Sequence, residues 1–221
     1  MARVIVIGGI ESTFSNAEVL SGLGEDIVMF YTRGANSPGW EGVDPIDESQ
    51  FPFAATVPRT EVAGHIRDHI GEMRALAPDV IYSLGWQQIY PVEMLDLCPV
   101  IGLHESLLPR GAGAVPIANA ILRNETVTGI TLFQLDGGID TGPILGQLRG
   151  LLSPQTATAT ALYSEAMTLG AALLTMYVPH INRGTAPRIA QDLSQRLCYP
   201  KVDWSAWPAD RVARARVYPY A

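Results

Sequence analysis

Short apolar runs alternate with helix-like patterns along most of the chain. Apolar runs bounded by turn residues predict buried strands, whereas apolar residues at three- and four-residue steps predict helices. The predicted strands span residues 3–7, 27–31, 80–84, 100–103, 128–135 and 144–148. The predicted helices span residues 14–23, 61–76, 92–97, 117–123 and 156–177. This alternation indicates βαβ units and therefore an α/β fold, with a mostly parallel twisted sheet flanked by helices.

Two stretches lack a clear period. Residues 33–58 are rich in Gly, Pro, Asp and aromatic residues, which predicts a long surface loop with room for one short strand. Beyond residue 180 the pattern weakens into a segment rich in arginine and aromatic residues. We therefore predict one α/β domain over residues 1–180 and a C-terminal tail, residues 181–221, that packs on it.

Composition and charge exclude several classes of protein. The apolar runs break before the about 18 residues that a membrane helix needs, so we expect no membrane span. A formal net charge of −7 argues against a broad phosphate-binding surface and hence against a nucleic-acid partner. Cys98 and Cys198 are the only cysteines, and their spacing indicates neither a disulfide framework nor a zinc site. We therefore expect a reducing, cytoplasmic setting. The apolar, weakly charged final third would suit a homodimer contact.

Two residues are candidates for acid–base chemistry. His104 follows a predicted strand and precedes a Ser-Leu-Leu-Pro turn, and Asp140 lies in a Gly-Gly-Ile-Asp-Thr-Gly turn. Ligands of open parallel sheets bind beyond the carboxyl ends of the strands. An imidazole and a carboxylate on neighbouring strand-end loops can share one proton, as general acid–base catalysis requires. Alternatively, His104 only buttresses the turn, and Asp140 caps its own loop.

Metal binding is not indicated. His65 and His69 are spaced one helical turn apart, as metal ligands can be, but a third ligand is not evident and a solvated helix face explains them better. His104 and Glu105 begin like a zinc-protease motif, but no second histidine follows four residues later. We therefore expect no metal in the site.

Four segments together carry a family resemblance. Residues 101–109 read Ile-Gly-Leu-His-Glu-Ser-Leu-Leu-Pro, and residues 136–144 read Asp-Gly-Gly-Ile-Asp-Thr-Gly-Pro-Ile. With residues 113–117 and 128–131, these segments resemble the formyltransferases that use N10-formyltetrahydrofolate. The likeness is greatest to the catalytic domain of the amino-sugar and methionyl-tRNA enzymes. The resemblance extends over residues 1–180 and implies a Rossmann-like formyltransferase fold.

The resemblance implies a role for each group of residues. An amine acceptor attacks the formyl carbon of the folate, His104 shuttles protons and Asp140 orients it, while Thr131 and Thr141 help to shape the loops. The acceptor is expected near Glu105, Ser106, Arg110 and Gly113. The donor N10-formyltetrahydrofolate is expected along Gly85, Trp86, Gln87, Gln88, Ile89, Leu135, Asp136, Gly137 and Gly138.

Gly102 departs from the family pattern, which reads Asn-x-His. The asparagine amide donates to the oxyanion, and loss of such a donor costs about 2.7–4 kcal/mol. Three interpretations remain open. In the first, the oxyanion receives its hydrogen bond from Gln87, Gln88, a water or a backbone amide. In the second, the missing side chain opens room for another acyl or one-carbon group. In the third, catalysis has been lost.

The sequence also narrows the range of compounds that can be the acceptor. Residues 9–16 do not reproduce the phosphate loop of the glycinamide ribonucleotide enzymes, and the acidic charge disfavours tRNA. Residues 199–204, which end in Trp204, are followed by Trp207 and are similar to a shortened form of the Ile-Asp-Trp linker of the family. These two tryptophans either bind ligand or anchor the tail. We expect a small-metabolite amine, such as an amino sugar or an amino-acid-derived amine. The alternatives are a formyltetrahydrofolate hydrolase and a non-catalytic folate- or nucleotide-binding protein.

Overall fold

Within residues 1–34 and 51–219, which the computed structural model describes, seven strands form the central sheet and two more form a small separate one. The strands are β1 (Arg3–Ile7), β2 (Asp26–Arg33), β3 (Arg59–Val62), β4 (Val80–Leu84), β5 (Val100–His104), β6 (Arg110–Gly113), β7 (Gly129–Gln134), β8 (Ile144–Arg149) and β9 (Leu197–Tyr199). The central order is β3-β2-β1-β4-β5-β7-β8, and β6 pairs with β9. β1 to β5 are parallel, while β7 and β8 are antiparallel to their neighbours. The predicted mostly parallel α/β sheet is confirmed.

Helices cover both faces of this sheet. They are α1 (Glu11–Gly22), α2 (Ile70–Leu76), α3 (Val92–Leu95), α4 (Pro116–Leu122), α5 (Ala159–Asn182) and α6 (Ala209–Ala215), with 3-10 turns at Pro52–Thr56, Ile66–His69, Leu193–Gln195 and Trp204–Ala206. Successive residues of a strand point to opposite faces, so β1 supplies both cores. Val4 and Val6 pack with Phe14 of α1, and Ile5 and Ile7 pack with Met73 of α2.

Helix α5 is long and apolar enough to cross a membrane by length and composition alone. Its small and aliphatic face instead packs on α1, β7 and β8, where Leu173 and Leu174 are fully buried. Burial of a leucine side chain stabilises a fold by about 1.5–3 kcal/mol. The helix begins at residue 159, and not at 156 as predicted, because the Thr158 hydroxyl accepts a hydrogen bond from the amide of Ala161 and caps it.

The predicted helix over residues 61–76 is wrong in its first half. Residues up to Val62 belong to β3, which extends the sheet beside β2, and only residues 70–76 form an α-helix. The side chain of Gln88 fixes the intervening turn, since it accepts from the amide of Ile66 and donates to the carbonyl of Gly64. Most of the predicted loop 33–58, residues 35–50, lies outside the described residues.

The C-terminal segment folds back over the strand ends. β9 pairs with β6, and α6 packs on α4. The Arg123 guanidinium lies over the rings of Tyr199 and Trp207, 5.0 and 5.5 Å from their centroids. Trp204 and Trp207 both pack on the core, so they anchor this segment. The division of the chain at residue 180 stays a prediction.

Candidate active site

A cleft of about 440 Å³ opens beyond the carboxyl ends of the parallel strands. The loops after β1, β4, β5 and β7 form its walls, and the segment around β9 closes one side. This is the edge at which open α/β sheets bind ligands. The volume lies in the range of small-molecule sites, about 300–1,000 Å³.

His104 is the last residue of β5 and is 7% exposed. Its Nε2 atom lies 2.7 Å from the carbonyl oxygen of Gly111. A carbonyl oxygen only accepts hydrogen bonds, so Nε2 carries a proton and donates it to this bond. The other ring nitrogen, Nδ1, is 3.8 Å from Oδ2 of Asp140. Nδ1 is therefore the ring atom that can gain or lose a proton beside a carboxylate.

Asp140 is fixed in place from two sides. Its Oδ2 atom accepts a hydrogen bond of 2.7 Å from the amide of Gly113, and its carbonyl accepts one of 2.9 Å from the side chain of Gln191. Its backbone is left-handed (φ 53°), a conformation that Asp tolerates better than most residues. Gly113 also has a positive φ, 93°, and a Cβ atom there would meet the Tyr199 carbonyl at 2.4 Å. The glycine allows the tail strand to pair beside the carboxylate.

Thr131 braces the loop after His104 from below. Its buried hydroxyl donates to the carbonyl of Ser106 at 2.6 Å and accepts from the amide of Leu108 and the side chain of Gln147. The Ser106 hydroxyl donates to the carbonyl of Arg110, so it also acts within the loop. Gln147 was missed in the sequence, although a polar residue in the apolar strand β8, opposite Thr131, could have signalled it.

The position of the family's asparagine side chain is filled in this protein. A Cβ atom on Gly102 would lie 2.6 Å from Cδ1 of Leu135 and 3.2 Å from Cε1 of Phe133. Both distances are shorter than ordinary carbon contacts. In this structure the side chains of Leu135 and Phe133 therefore take up the room beside Gly102. An apolar wall stands where the family has an amide.

Glu105 is a half-buried carboxyl between two cavities. It lines the main cleft and a much smaller cavity that it shares with Asn16 and Tyr163. Loss of hydration raises the pKa of Glu105 above its ordinary value, and the neighbouring His104 only partly opposes this effect. A cationic ligand group beside Glu105 would relieve the cost of ionising it.

Most of the predicted site residues meet in the cleft. They are Gly102, His104, Asp140, Gly85, Trp86, Gln87, Gln88, Ile89, Leu135, Asp136, Gly138, Glu105 and Gly113. The structure does not bring Gly137, Ser106 or Arg110 to the cleft wall. Thr141 supports it indirectly, because its hydroxyl and the amide of Gly138 both donate to Asp136.

Several lining residues were not predicted as parts of the site. Ser83, Tyr90, Tyr163, Tyr199 and Lys201 belong to this group. The sequence could have pointed to Lys201, because it is the chain's only lysine. As for metals, the described residues contain no group of three His, Cys, Asp or Glu side chains placed to hold an ion. His69 pairs with Glu72 on the surface.

The fold is an α/β sheet with a ligand-sized cleft at the carboxyl ends of its strands, where an imidazole and a carboxylate lie 3.8 Å apart. The family model described as Formyl transferase matches residues 12–178, and the chain belongs to this family.

Known proteins agree with this assignment. Methionyl-tRNA formyltransferase of Chloroflexus aggregans is 38% identical over 154 residues, which cover 65% of this chain and 50% of that protein. The chain thus spans about half the length of this relative.

Among solved structures, a 4-N formyltransferase from Francisella tularensis superposes with a TM-score of 0.75 at 18% identity, covering 100% of this chain and 90% of that one. An N-formyltransferase from Helicobacter canadensis, in complex with folinic acid and dTDP-3-aminofucose, gives 0.71 at 20% identity, covering 92% and 73%. At these identities the two structures show a shared fold.

Proposed function

We propose that this protein transfers a formyl group from N10-formyltetrahydrofolate to a primary amine of a small metabolite. The observation that supports this most is the pairing of His104 with Asp140, 3.8 Å apart, in the cleft of a formyltransferase-family fold. Both residues are kept in the family motifs, and both side chains are held by hydrogen bonds to the backbone of the same loop.

His104 moves the proton that this reaction must relocate. The amine nitrogen forms a bond to the formyl carbon, and negative charge develops on the formyl oxygen. Nδ1 of His104 takes the proton from the attacking nitrogen and returns it to N10 of the folate as the bond between the formyl carbon and N10 breaks. Asp140 stabilises the imidazolium that exists between these two transfers. The products are a formamide and tetrahydrofolate.

The donor would bind along the wall formed by the loops after β4 and β7. Trp86, Ile89 and Leu135 give this wall apolar surface for a flat ring system, and Asp136 adds a polar edge. The protein from Helicobacter canadensis was solved with folinic acid, a formylated folate. That complex supports a folate donor here.

The acceptor would enter from the side of Glu105 and the C-terminal segment. The Glu105 carboxylate can hold the acceptor's ammonium group, which gives up one proton to solvent before its nitrogen attacks the formyl carbon. Lys201 lines the cleft on the same side as Tyr199 and offers a positive charge to an anionic part of the acceptor. We therefore propose that Tyr199 and Lys201 of the C-terminal tail are part of the substrate site, and that an amino sugar or an amino-acid-derived amine is the acceptor.

Incubation with N10-formyltetrahydrofolate, with and without a panel of such amines, tests this proposal. Release of tetrahydrofolate that depends on the amine supports transfer. Release without an amine would indicate a hydrolase, and binding without release would indicate a non-catalytic folate protein. If the donor neither binds nor reacts, the folate assignment is wrong.

A substitution tests the proposed role of Glu105 in binding the acceptor. Glu105→Gln should raise KM for the amine at least about tenfold, since a hydrogen bond to a charged group is worth about 1.5–3 kcal/mol. Glu93→Gln, which changes an exposed carboxyl of α3, is the matched control. If both variants keep the KM of the unmodified protein, Glu105 does not bind the acceptor.

A further inference from the structure

The apolar wall at Gly102 leaves the developing oxyanion without the family's amide donor. Leu135 and Phe133 stand at that place and offer no hydrogen bond. Gln88, one of the expected replacements, is already bound to the backbone of Gly64 and Ile66. Another side chain that lines the cleft can supply a donor for the formyl oxygen instead.

Ser83 lies next to Gly102 on the neighbouring strand. It is the register partner of Gly102 in the parallel pair β4 and β5. Paired residues of neighbouring strands point to the same face, with their backbones about 4.8 Å apart. Ser83 and Gly102 both line the cleft, and His104 follows two residues later on the same face of β5. A hydroxyl at residue 83 thus faces the space beside His104.

Tyr90 sets the direction of the Ser83 hydroxyl. The phenol of Tyr90 donates a hydrogen bond of 2.8 Å to Oγ of Ser83. Tyr90 is 7% exposed, and burial raises the pKa of its phenol, so the phenol keeps its proton. Among the described residues, none accepts a hydrogen bond from the hydroxyl of Ser83. With Tyr90 donating to it, Ser83 can direct that proton into the cleft.

We propose that Ser83 is the hydrogen-bond donor that replaces the missing asparagine amide. Its O–H group donates to the formyl oxygen as negative charge develops, and no proton is transferred in this contact. Tyr90 is a positioning residue, and its donation to Ser83 strengthens the bond that Ser83 makes in turn. This inference rests on the proposed formyl transfer.

Serine-to-alanine and tyrosine-to-phenylalanine variants test this inference in the amine-dependent assay. A donor used only in the transition state lowers kcat without changing KM. We expect Ser83→Ala to lower kcat by roughly 10²–10³-fold, the usual effect of removing one oxyanion donor. KM for donor and acceptor should stay within about twofold. Tyr90→Phe keeps the Ser83 hydroxyl and should lower kcat by about fivefold, since one hydrogen bond is worth roughly 1 kcal/mol.

Thr32→Val is the matched control, since it removes a buried hydroxyl of β2 that does not line the cleft. Its kcat should equal that of the unmodified protein. The Ser83 proposal is overturned if Ser83→Ala keeps kcat within about twofold, or if it changes only KM. These results would leave formyl transfer standing. If the unmodified protein shows no amine-dependent release, formyl transfer itself fails, and the role of Ser83 fails with it.

Discussion

The Cδ1 atom of Leu135 lies 2.6 Å from the point where a Cβ atom on Gly102 would stand. Gly102 belongs to β5, and Leu135 follows directly after its antiparallel neighbour β7. The leucine therefore occupies the space of a side chain that residue 102 lacks. A glycine at this position and a leucine at residue 135 form one packing unit, and changing either alone disturbs it.

Gly102→Asn should destabilise the protein by about 1–3 kcal/mol, the usual cost of overpacking. In a Leu135→Ala background, which lacks the Cδ1 atom of Leu135, Gly102→Asn should lower the free energy of unfolding by at least about 1 kcal/mol less. Urea unfolding of the two single variants and the double variant gives this coupling. Gly71→Asn, in α2 with no atom within 4 Å of the place where a Cβ would stand, is the control. Equal costs in both backgrounds would mean that Leu135 does not fill the position.

Stability should depend on pH through Glu105. Its pKa is raised above the ordinary value of 4.5 in the folded protein, mainly by burial. Below about pH 4.5 the carboxyl is protonated in both the folded and the unfolded protein. As pH rises through the folded-state pKa, the free energy of unfolding falls, because the unfolded protein ionises this group more easily. Glu105→Gln removes this pH-dependent fall in stability, because the glutamine side chain does not ionise. Its advantage over the unmodified protein in thermal unfolding should therefore grow from pH 4 to pH 8.

The exposed control Glu93→Gln should show a smaller change over the same pH range. A difference between Glu105→Gln and the unmodified protein that stays constant with pH would contradict the burial of this carboxyl.

Asp140→Asn should keep the fold and lose activity. Asparagine tolerates the left-handed backbone of this position, and its side-chain oxygen can still accept from the amide of Gly113. The imidazolium of His104 would lose its negative neighbour. We expect kcat to fall by about 10²-fold with the circular dichroism spectrum unchanged. An Asp140→Asn variant with full kcat would restrict Asp140 to capping its turn.

Thr131→Val should destabilise the loop that follows His104. The hydroxyl serves the carbonyl of Ser106, the amide of Leu108 and the side chain of Gln147, and valine satisfies none of them. A buried polar group without a partner costs about 1–3 kcal/mol. Chemical unfolding measures this loss, with Thr168→Val on the exposed face of α5 as control. Similar stability of both variants would contradict the bracing role.

Local patterns predicted the residues that end strands, and with them much of the site. His104 and Asp140 could be placed because a buried apolar strand and a glycine-rich turn are both visible in a short stretch of sequence. The second half of the edge strand β3 falls within the predicted helix over residues 61–76, because Val62 fits the three- and four-residue spacing of the helix after it. The strands β6 and β9 are short, and their pairing joins distant parts of the chain.

Contacts across strands could not be predicted in the same way. That Leu135 covers Gly102 depends on the register between β5 and β7, and the exposure of Ser83 to the cleft depends on the register between β4 and β5. Ser83 lies within an apolar run, where a serine is easily taken for a tolerated core residue. Such relationships follow from tertiary packing, which a single sequence does not state.

The most direct test of this account is the rate of formyl transfer in a single turnover, with His104→Gln compared with the unmodified protein. Donor binding, followed by tryptophan fluorescence, serves as the control for folding and for the cleft. We predict a rate about 10²–10⁴-fold lower in His104→Gln, with an unchanged Kd for the donor. A variant that transfers the formyl group within about twofold of the normal rate would contradict the acid–base role of His104.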